Sequence, residues 1–201
     1  MTHTTLIDLI RHGEPEGGKR YRGQSDDPLS ATGWRQMRDA LGEQAPWRRI
    51  VSSPLSRCHA FAEQLAERHG LPLAVDARLM EIGFGAWEGR TAEQLRAEDP
   101  EQIRRFYHDP VNARPAGAEP LEVFRARVIA AFDELAQRHA GEHLLLVTHA
   151  GVMRTVVAHV LNAPLEAIYR IEVDYAALTR VRLDAERPPT LIAHARRRAD
   201  E

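Results

Sequence analysis

Three short polar sequences follow apolar stretches at widely separated positions of this 201-residue chain. They are Arg11-His12-Gly13, Ser52-Ser53-Pro54 with Arg57 one helical turn later, and Thr148-His149-Ala150-Gly151. Arginine carries a planar guanidinium that matches the oxygens of a phosphoryl group, and a neutral histidine is a nucleophile. Two arginines and two histidines in such positions indicate phosphoryl chemistry.

The arginines also bear on the protonation state of His12. Neighbouring cations disfavour a further positive charge, so we expect His12 to be neutral and nucleophilic. Helix N-termini after the strands would offer free N–H groups to an anion. Gly13 and Gly151 are expected to let the backbone approach that anion closely.

The elements that must position these residues alternate between strand-like and helix-like patterns. Apolar runs predict strands at 5–10, 50–51, 71–75, 143–149, 168–173, 177–183 and 190–194. Helical periodicity predicts helices at 31–44, 53–70, 119–139 and 151–161. The alternation predicts an α/β fold, a three-layer α/β/α sandwich with a mostly parallel central sheet. Ligands bind where the carboxyl ends of parallel strands line up, so we expect the three polar sequences to meet there.

Capping residues predict where three helices begin. Ser30 is the predicted N-cap of the first helix. Ser53 is the predicted N-cap of the second helix, with Pro54 as its first residue. The sequence Thr91-Ala92-Glu93-Gln94 fits a capping box and predicts a short helix in the middle of the chain.

The length and the proline distribution predict the domain organisation. A chain of 201 residues that is 43% hydrophobic is sufficient for one domain, which we assign to 1–201. Prolines interrupt the middle of the chain at positions 100, 110, 115 and 120. We expect a small helical lid or subdomain at about 77–120. The basic run 196–198 is expected to be a solvated tail.

The composition argues against several classes of partner. Because the net charge is only −2, we expect neither nucleic acid nor a membrane as a partner. The single cysteine, Cys58, excludes an internal disulfide and a thiolate metal cluster, and no H-E-x-x-H sequence occurs, so we expect no metal. We find no signal-peptide pattern and no transmembrane-length apolar stretch, and we expect a cytoplasmic location.

Four sequence blocks resemble the histidine phosphatase superfamily, the phosphoglycerate-mutase-like proteins. They are "LIRHGE", "SSPLSR", "EIGFGAWEG" and "VTHAGVMR", and the resemblance extends from residue 6 to about 180. It implies that His12 is a nucleophile that becomes a phosphohistidine. It implies that Glu81 is the general acid for the leaving oxygen and then the base for water. Arg11, Arg57 and His149 would complete the phosphate pocket, with no cofactor.

The chain departs from the pattern of this family near the phosphate pocket. Family members often carry an asparagine shortly after the Arg-His-Gly-Glu block, and none is present here. Gln24 or Ser25 is the expected substitute. Phe61 stands where the family often has threonine, and Ala116-Gly117-Ala118-Glu119-Pro120 replaces a Gly-Gly-Glu-Ser pattern. These departures concern the substrate more than the reaction.

The segment "RHGEPEGGKRYRGQSDDPLS" is most similar to the α-ribazole phosphatase branch of cobalamin nucleotide-loop assembly. The resemblance implies α-ribazole 5′-phosphate as substrate. We expect the substrate to contact Arg22, Gly23, Gln24 and Ser25 as well as the phosphate pocket. Residues of the middle region are candidates for the leaving-group pocket: Tyr21, Arg22, Phe84, Trp87, Phe106 and Tyr107.

Other readings stay open at this point. A phosphoglycerate mutase would return the phosphoryl group to a carbon substrate, although the middle of this chain is short for one. A small-molecule phosphatase of broad specificity and a non-catalytic phosphate-binding protein are further alternatives. A homodimer is open as well.

Overall fold

The computed structural model describes residues 4–196. Six strands form one sheet: β1 Thr5–Arg11, β2 Arg49–Ser52, β3 Leu73–Val75, β4 His143–Thr148, β5 Leu178–Asp184 and β6 Arg187–Arg196. Their order is β3-β2-β4-β1-β5-β6. β1 to β4 pair in parallel, whereas β5 and β6 extend the sheet in antiparallel fashion. The predicted mostly parallel sheet is confirmed.

Helices cover both faces of this sheet. They are α1 Ala31–Leu41, α2 Ser56–His69, α3 Ala92–Glu98, α4 Gln102–His108, α5 Leu121–Arg138 and α6 Ala150–Val160. Alternate residues of β4 serve the two faces: Leu144 and Leu146 pack with α5 and α6, and Leu145 and Val147 pack with α1 and α2. The predicted three-layer α/β/α sandwich is therefore confirmed.

The sequence patterns were correct for most elements and wrong for one predicted strand. The segment predicted as a strand at 168–173 lies in a 3₁₀ helix, Leu165–Arg170, and the extended residues after it. Both edges of β1 are already paired, with β4 and β5, and the Ile171 carbonyl accepts a hydrogen bond from Nε of Arg154 at 2.8 Å. The backbone of this segment therefore serves a side chain rather than the sheet.

The caps explain where the helices begin. The Ser30 hydroxyl accepts from the Gly33 N–H at 3.0 Å, and Thr91 forms the predicted capping box with Gln94. The predicted start at Ser53 is wrong, because α2 begins at Ser56 without a side-chain cap. The Ser53 hydroxyl instead lies 2.8 Å from Nε2 of His149.

The region 77–120 contains α3, α4 and short 3₁₀ turns. Trp87, Leu95, Ile103 and Phe106 form its own small apolar cluster. Its assignment as a lid within one domain over 1–201 stays a prediction. The basic run 196–198 lies outside the described residues except for Arg196. Within the described range, no helix is long and apolar enough to cross a membrane.

Candidate active site

The carboxyl ends of β1, β2 and β4 surround one cavity, where the structure brings the three polar sequences together. The cavity has a volume of about 140 Å³. The charged residues in its wall are Arg11, Arg20, Arg22, Arg57, Arg154 and Glu81. Five arginines against one carboxylate make this cavity an environment for an anion.

His12 follows the end of β1 and presents one defined ring nitrogen to the cavity. Its Nδ1 lies 2.7 Å from the carbonyl oxygen of Gly13. Because a carbonyl only accepts, Nδ1 must carry the proton, and in the neutral ring Nε2 keeps its lone pair. Nε2 has no hydrogen-bond partner within residues 4–196, and the side chain is 5% exposed. In this tautomer the lone pair of Nε2 is free of hydrogen bonds within the described residues.

Electrostatics keep both site histidines neutral. Burial, followed by the charges of Arg11 and Arg57, holds the pKa of His12 well below its usual value. The pKa of His149 is lowered in the same way by burial, Arg57 and His12. The predicted neutral His12 agrees with these directions.

His149 precedes α6 and lies behind His12, outside the cavity wall. The two ring centroids are 5.2 Å apart in an edge-to-face arrangement. Its Nε2 lies 2.8 Å from the Ser53 hydroxyl and 3.5 Å from Sγ of Cys58. The Cys58 thiol is buried and its pKa is raised by that burial, so it packs as a neutral group. His149 is therefore fixed by neighbours from the β2–α2 segment.

Arg57 is held by the loop that follows β1. Its two terminal nitrogens donate to the carbonyl oxygens of Ser25 at 2.7 Å and Gly23 at 2.8 Å. The Nε atom is buried and has no partner within the described residues. The guanidinium therefore keeps donors for an anion while its position is fixed.

Arg11 is held by the segment that precedes β5. Nη1 donates to the Val173 carbonyl at 2.8 Å, and the guanidinium lies 4.1 Å from the ring centroid of Tyr175. Burial lowers the pKa of Arg11 from its ordinary value. A buried cation of this kind gains from an anion in the cavity.

Among residues 4–196, Glu81 contributes the only carboxylate of the wall. Its Oε2 accepts from the backbone N–H of Gly151 at 3.1 Å, and Oε1 accepts from its neighbour Ile82 at 3.0 Å. A Cβ at position 151 would lie 2.1 Å from Oε1 of Glu81. The close approach that requires this glycine in the structure is to Glu81, and its predicted approach to an anion stays a prediction. Gly13 likewise lies against the backbone of Gly33, where a Cβ would meet the carbonyl at 2.2 Å.

The loop after β1 is organised by Glu88. Its Oε1 accepts from the backbones of Gln24 at 3.1 Å and Phe84 at 2.9 Å. Its Oε2 accepts from the N–H and the hydroxyl of Ser25 at 3.1 and 3.0 Å. The structure does not place the predicted contacts Gln24 and Ser25 in the cavity wall. The Ser25 hydroxyl is bound to Glu88, and Nε2 of Gln24 donates to the carbonyl of Glu81 at 3.4 Å.

Arg22 and Gly23, also predicted as substrate contacts, do line the cavity. Arg22 is largely committed within its own loop, since it donates to Asp27 at 2.8 Å and to the carbonyls of Glu16 and Gly18. It shapes the wall more than it offers free donors.

Aromatic side chains form the remaining wall. Tyr21, Phe84, Phe106 and Tyr107 line the cavity as predicted candidates, but Trp87 does not. Trp87 is 5% exposed, and its indole N–H donates to Gln102 at 2.9 Å within the small apolar cluster.

Four wall residues were missed by the sequence reading: Arg20, Arg154, Tyr169 and Tyr175. Arg154 stands at the end of the block "VTHAGVMR", one helical turn after Ala150, so its face of α6 was a usable signal. Tyr169 lies in the segment 168–173, which was wrongly predicted as a strand, and Tyr175 lies two residues after that segment. Over residues 4–196, no group of three or more His, Cys, Asp or Glu side chains could hold a metal ion.

The fold and this cavity define an α/β protein with a histidine and several arginines at the sheet edge. The sequence model of the histidine phosphatase superfamily (branch 1) matches residues 7–194. The chain therefore belongs to the histidine phosphatase superfamily, as the sequence blocks implied. The prediction of a phosphatase-family enzyme is confirmed at this level.

Individual relatives carry several different names. The bifunctional protein Rv2228c of Mycobacterium tuberculosis is 35% identical over 185 residues, which cover 89% of this chain and 50% of that protein. The chain thus spans about half the length of the first curated relatives it matches. The probable phosphoglycerate mutase GpmB of Citrobacter koseri is 33% identical over 180 residues, which cover 87% of this chain and 83% of that protein. The crystal structure of the α-ribazole phosphatase from Shigella flexneri superposes with a TM-score of 0.82 at 27% identity, covering 96% and 97% of the two chains.

Proposed function

We propose that this protein hydrolyses phosphomonoesters through a phosphohistidine on His12, without a metal ion. The observation that carries the proposal is the hydrogen bond from Nδ1 of His12 to the Gly13 carbonyl at 2.7 Å, which leaves the Nε2 lone pair free. Arg11 and Arg57 share the cavity with that nitrogen and suit the oxygens of a phosphoryl group.

In the first step, Nε2 of His12 forms a bond to phosphorus while the bond to the leaving oxygen breaks. The electron pair of that bond leaves with the oxygen, which takes a proton from the Glu81 carboxyl group. Arg11 and Arg57 stabilise the charge on the equatorial oxygens. Glu81 fits this role because it is the only acidic side chain that the described part of the chain places in the wall.

In the second step, the Glu81 carboxylate takes a proton from water as the water oxygen attacks phosphorus. The nitrogen–phosphorus bond breaks and its electron pair returns to Nε2. Inorganic phosphate leaves, and His12 and Glu81 regain their starting protonation states. His149 supports the phosphate pocket from behind His12.

We propose α-ribazole 5′-phosphate as the substrate to test first. It would be a small-molecule partner of the protein, for which we propose a cytoplasmic location. The aromatic wall of Tyr21, Phe84, Phe106 and Tyr107 suits a planar leaving group, and one similar structure bears that enzyme name. The volume of about 140 Å³ is below the roughly 300 to 1,000 Å³ of a whole-ligand pocket, so it suits the phosphoryl end.

Phosphoglycerate mutase-type transfer is a second candidate. Arg154 in the wall would suit a carboxylate on the substrate, and a relative is named a probable mutase. This candidate predicts that activity depends on a bisphosphorylated primer, whereas the phosphatase releases phosphate without one.

The test is phosphate release in the presence of a chelator, with α-ribazole 5′-phosphate, 3-phosphoglycerate, nucleotides and a nitrophenyl ester as substrates. His12→Ala should abolish release from all of them. Glu81→Gln should accumulate an acid-labile phosphoenzyme with the nitrophenyl ester, detectable by intact mass. A His12→Ala variant that keeps substantial turnover would contradict the proposal.

A further inference from the structure

The loop that carries Glu81 is held from outside by one ion pair. Arg127 on α5 binds Glu119 with both ends of its guanidinium, Nε to Oε1 at 2.7 Å and Nη2 to Oε2 at 2.8 Å. The two side chains are 20% and 15% exposed. Such a two-point pair fixes the plane of the guanidinium.

The remaining donors of Arg127 bind the backbone on which Glu81 stands. Nη1 donates to the carbonyls of Arg78 at 2.7 Å and Met80 at 2.8 Å. Nη2 donates to the carbonyl of Glu81 itself at 3.2 Å. With the two bonds to Glu119, all five N–H groups of the guanidinium are used.

Glu119 fixes the other side of the same loop. Its Oε2 accepts from the Gly83 N–H at 3.2 Å, and its own N–H donates to the Gly83 carbonyl at 3.0 Å. Gly83 and Gly85 give the chain after Glu81 few steric restraints of its own. The ion pair supplies the restraint that the loop sequence lacks.

We propose that Arg127 and Glu119 are positioning residues for the general acid, and we call this pair the loop clamp. It acts through the backbone at 78–83 and sets where the Glu81 carboxyl group lies in the cavity. The inference rests on the proposed function, because it assigns the clamp to the Glu81 step. Neither residue lines the cavity, so the clamp acts through the backbone of the loop and not from the cavity wall.

The dependence of kcat/KM on the leaving group distinguishes a positioning role from a merely structural one. A nitrophenolate departs without a proton, whereas an alkoxide needs one from Glu81. The value of kcat/KM reports phosphoryl transfer to His12 and excludes the later attack by water. Loss of a correctly placed acid therefore lowers kcat/KM for an alkyl phosphate far more than for a dinitrophenyl phosphate.

The experiment compares these two substrates in the wild type, Glu81→Gln, Arg127→Gln, Arg127→Lys and Glu119→Gln. Arg127→Gln should lower kcat/KM for the alkyl phosphate about 100-fold, with a much smaller loss for the dinitrophenyl ester. Glu119→Gln and Arg127→Lys should show the same selectivity at smaller size. Glu134→Gln is the matched control and should leave the selectivity unchanged. Glu134 lies on α5, as Arg127 does, and its carboxylate pairs with the Arg78 side chain at 2.7 Å.

The outcomes separate the two proposals. Suppose that Glu81→Gln lowers kcat/KM selectively for the alkyl phosphate. If the Arg127 and Glu119 variants then lower kcat/KM equally for both substrates, or for neither, the loop clamp is wrong and the role of Glu81 stands. If Glu81→Gln itself is not selective, the acid role is wrong and the clamp with it. Thermal melts of each variant identify any that does not fold. Glu119→Gln, which keeps the size of the side chain but removes its charge and one acceptor oxygen, then decides.

Discussion

The carboxylate of Glu81 occupies the space that a side chain at Gly151 would fill. Its Oε2 accepts the Gly151 N–H at 3.1 Å, and a Cβ there would lie 2.1 Å from Oε1. A residue of the middle region and the N-terminal turn of α6 thus meet at the cavity. The glycine permits the contact, and its N–H orients the carboxylate that we propose as the general acid.

Gly151→Ala should impair catalysis while leaving the fold intact. The new methyl group would displace the Glu81 carboxylate, which is the far end of a flexible side chain, and would lie 3.3 Å from Cζ of the buried Phe124. Alanine favours a helix, which offsets part of that crowding. We expect kcat/KM for an alkyl phosphate to fall about 100-fold with a melting temperature close to that of the wild type. A variant with wild-type kcat/KM would show that the carboxylate position does not matter.

The pH at which kcat/KM falls on the acid side of its pH profile should lie below the usual pKa range of histidine. The pKa values of His12 and His149 are both held well below the ordinary value by burial and by nearby cations. Protonation of His12 therefore should not reduce kcat/KM between about pH 7 and 6. A steep loss in kcat/KM through about pH 6.5 that persists in Glu81→Gln would contradict the neutral nucleophile.

The same shifts predict how stability depends on pH. The unfolded chain protonates its histidines near about pH 6.5, while His12 and His149 stay neutral in the fold. The unfolded state then binds more protons, so stability falls as the pH drops below that value. Urea unfolding of wild type and of His149→Gln across this range should show a weaker pH dependence in the variant.

Most of the fold could be predicted because burial is visible in the sequence. The apolar runs of β1 and β4 and the polar residues after them fixed the sheet edge and brought His12, Arg57 and His149 together. Family-level motifs then pointed to Glu81. The substrate, a homodimer and the roles of single residues stay predictions.

The parts that were missed depend on contacts between distant segments. Nothing near Arg127 in the sequence indicates that it binds the backbone at 78–81, and Tyr175 has no motif that links it to Arg11. The start of α2 was misplaced because Ser53 binds His149, ninety-six positions away, instead of capping a helix. Local propensity could not show these choices.

Asp8 should stabilise the protein at neutral pH. Burial alone would raise its pKa, but hydrogen bonds from Arg180, His143 and Trp47 outweigh burial and lower the pKa to about 2. This stability is present above the unfolded pKa of about 3.9 and is lost as the pH falls towards about 2, which corresponds to roughly 2 to 3 kcal/mol.

Asp8→Asn therefore should lower the free energy of unfolding at about pH 7 by about 3 kcal/mol, because Arg180 loses its carboxylate partner. The difference from wild type should shrink as the pH falls below the unfolded pKa. A difference that stays constant down to the acid range would mean that the charge of Asp8 is not what stabilises the fold. Asp184→Asn, at the more exposed Arg182 pair, is the control.

Tyr175 should support substrate binding through its ring. The Arg11 guanidinium lies 4.1 Å from the ring centroid, and a contact of this kind contributes about 1 kcal/mol. Tyr175→Phe keeps the ring and should leave the inhibition constant of inorganic phosphate near that of the wild type. Tyr175→Ala should weaken phosphate binding about fivefold. Equal weakening in both variants would instead assign the effect to the hydroxyl.

Glu88 should support phosphate binding, because it holds the loop that positions Arg57. The proposed loop clamp would instead position Glu81 for the leaving group. The Glu88 carboxylate accepts four hydrogen bonds, from the backbones of Gln24, Ser25 and Phe84 and from the Ser25 hydroxyl, and the carbonyls of this loop hold Arg57. Glu88→Gln replaces one acceptor oxygen with a donor and loosens that loop. We expect phosphate to bind about tenfold more weakly, since hydrogen bonds to charged groups contribute about 1.5 to 3 kcal/mol.

The two substrates distinguish this effect from loss of the acid. In the proposed mechanism Arg57 acts on the phosphoryl oxygens and not on the leaving group. Glu88→Gln should therefore lower kcat/KM for alkyl and dinitrophenyl phosphates by the same factor. Glu98→Gln, which alters an exposed pair with Arg90 in the same region, should change neither. A selective loss with the alkyl ester would mean that Glu88 acts on Glu81 through the loop at 81–84, and not on Arg57.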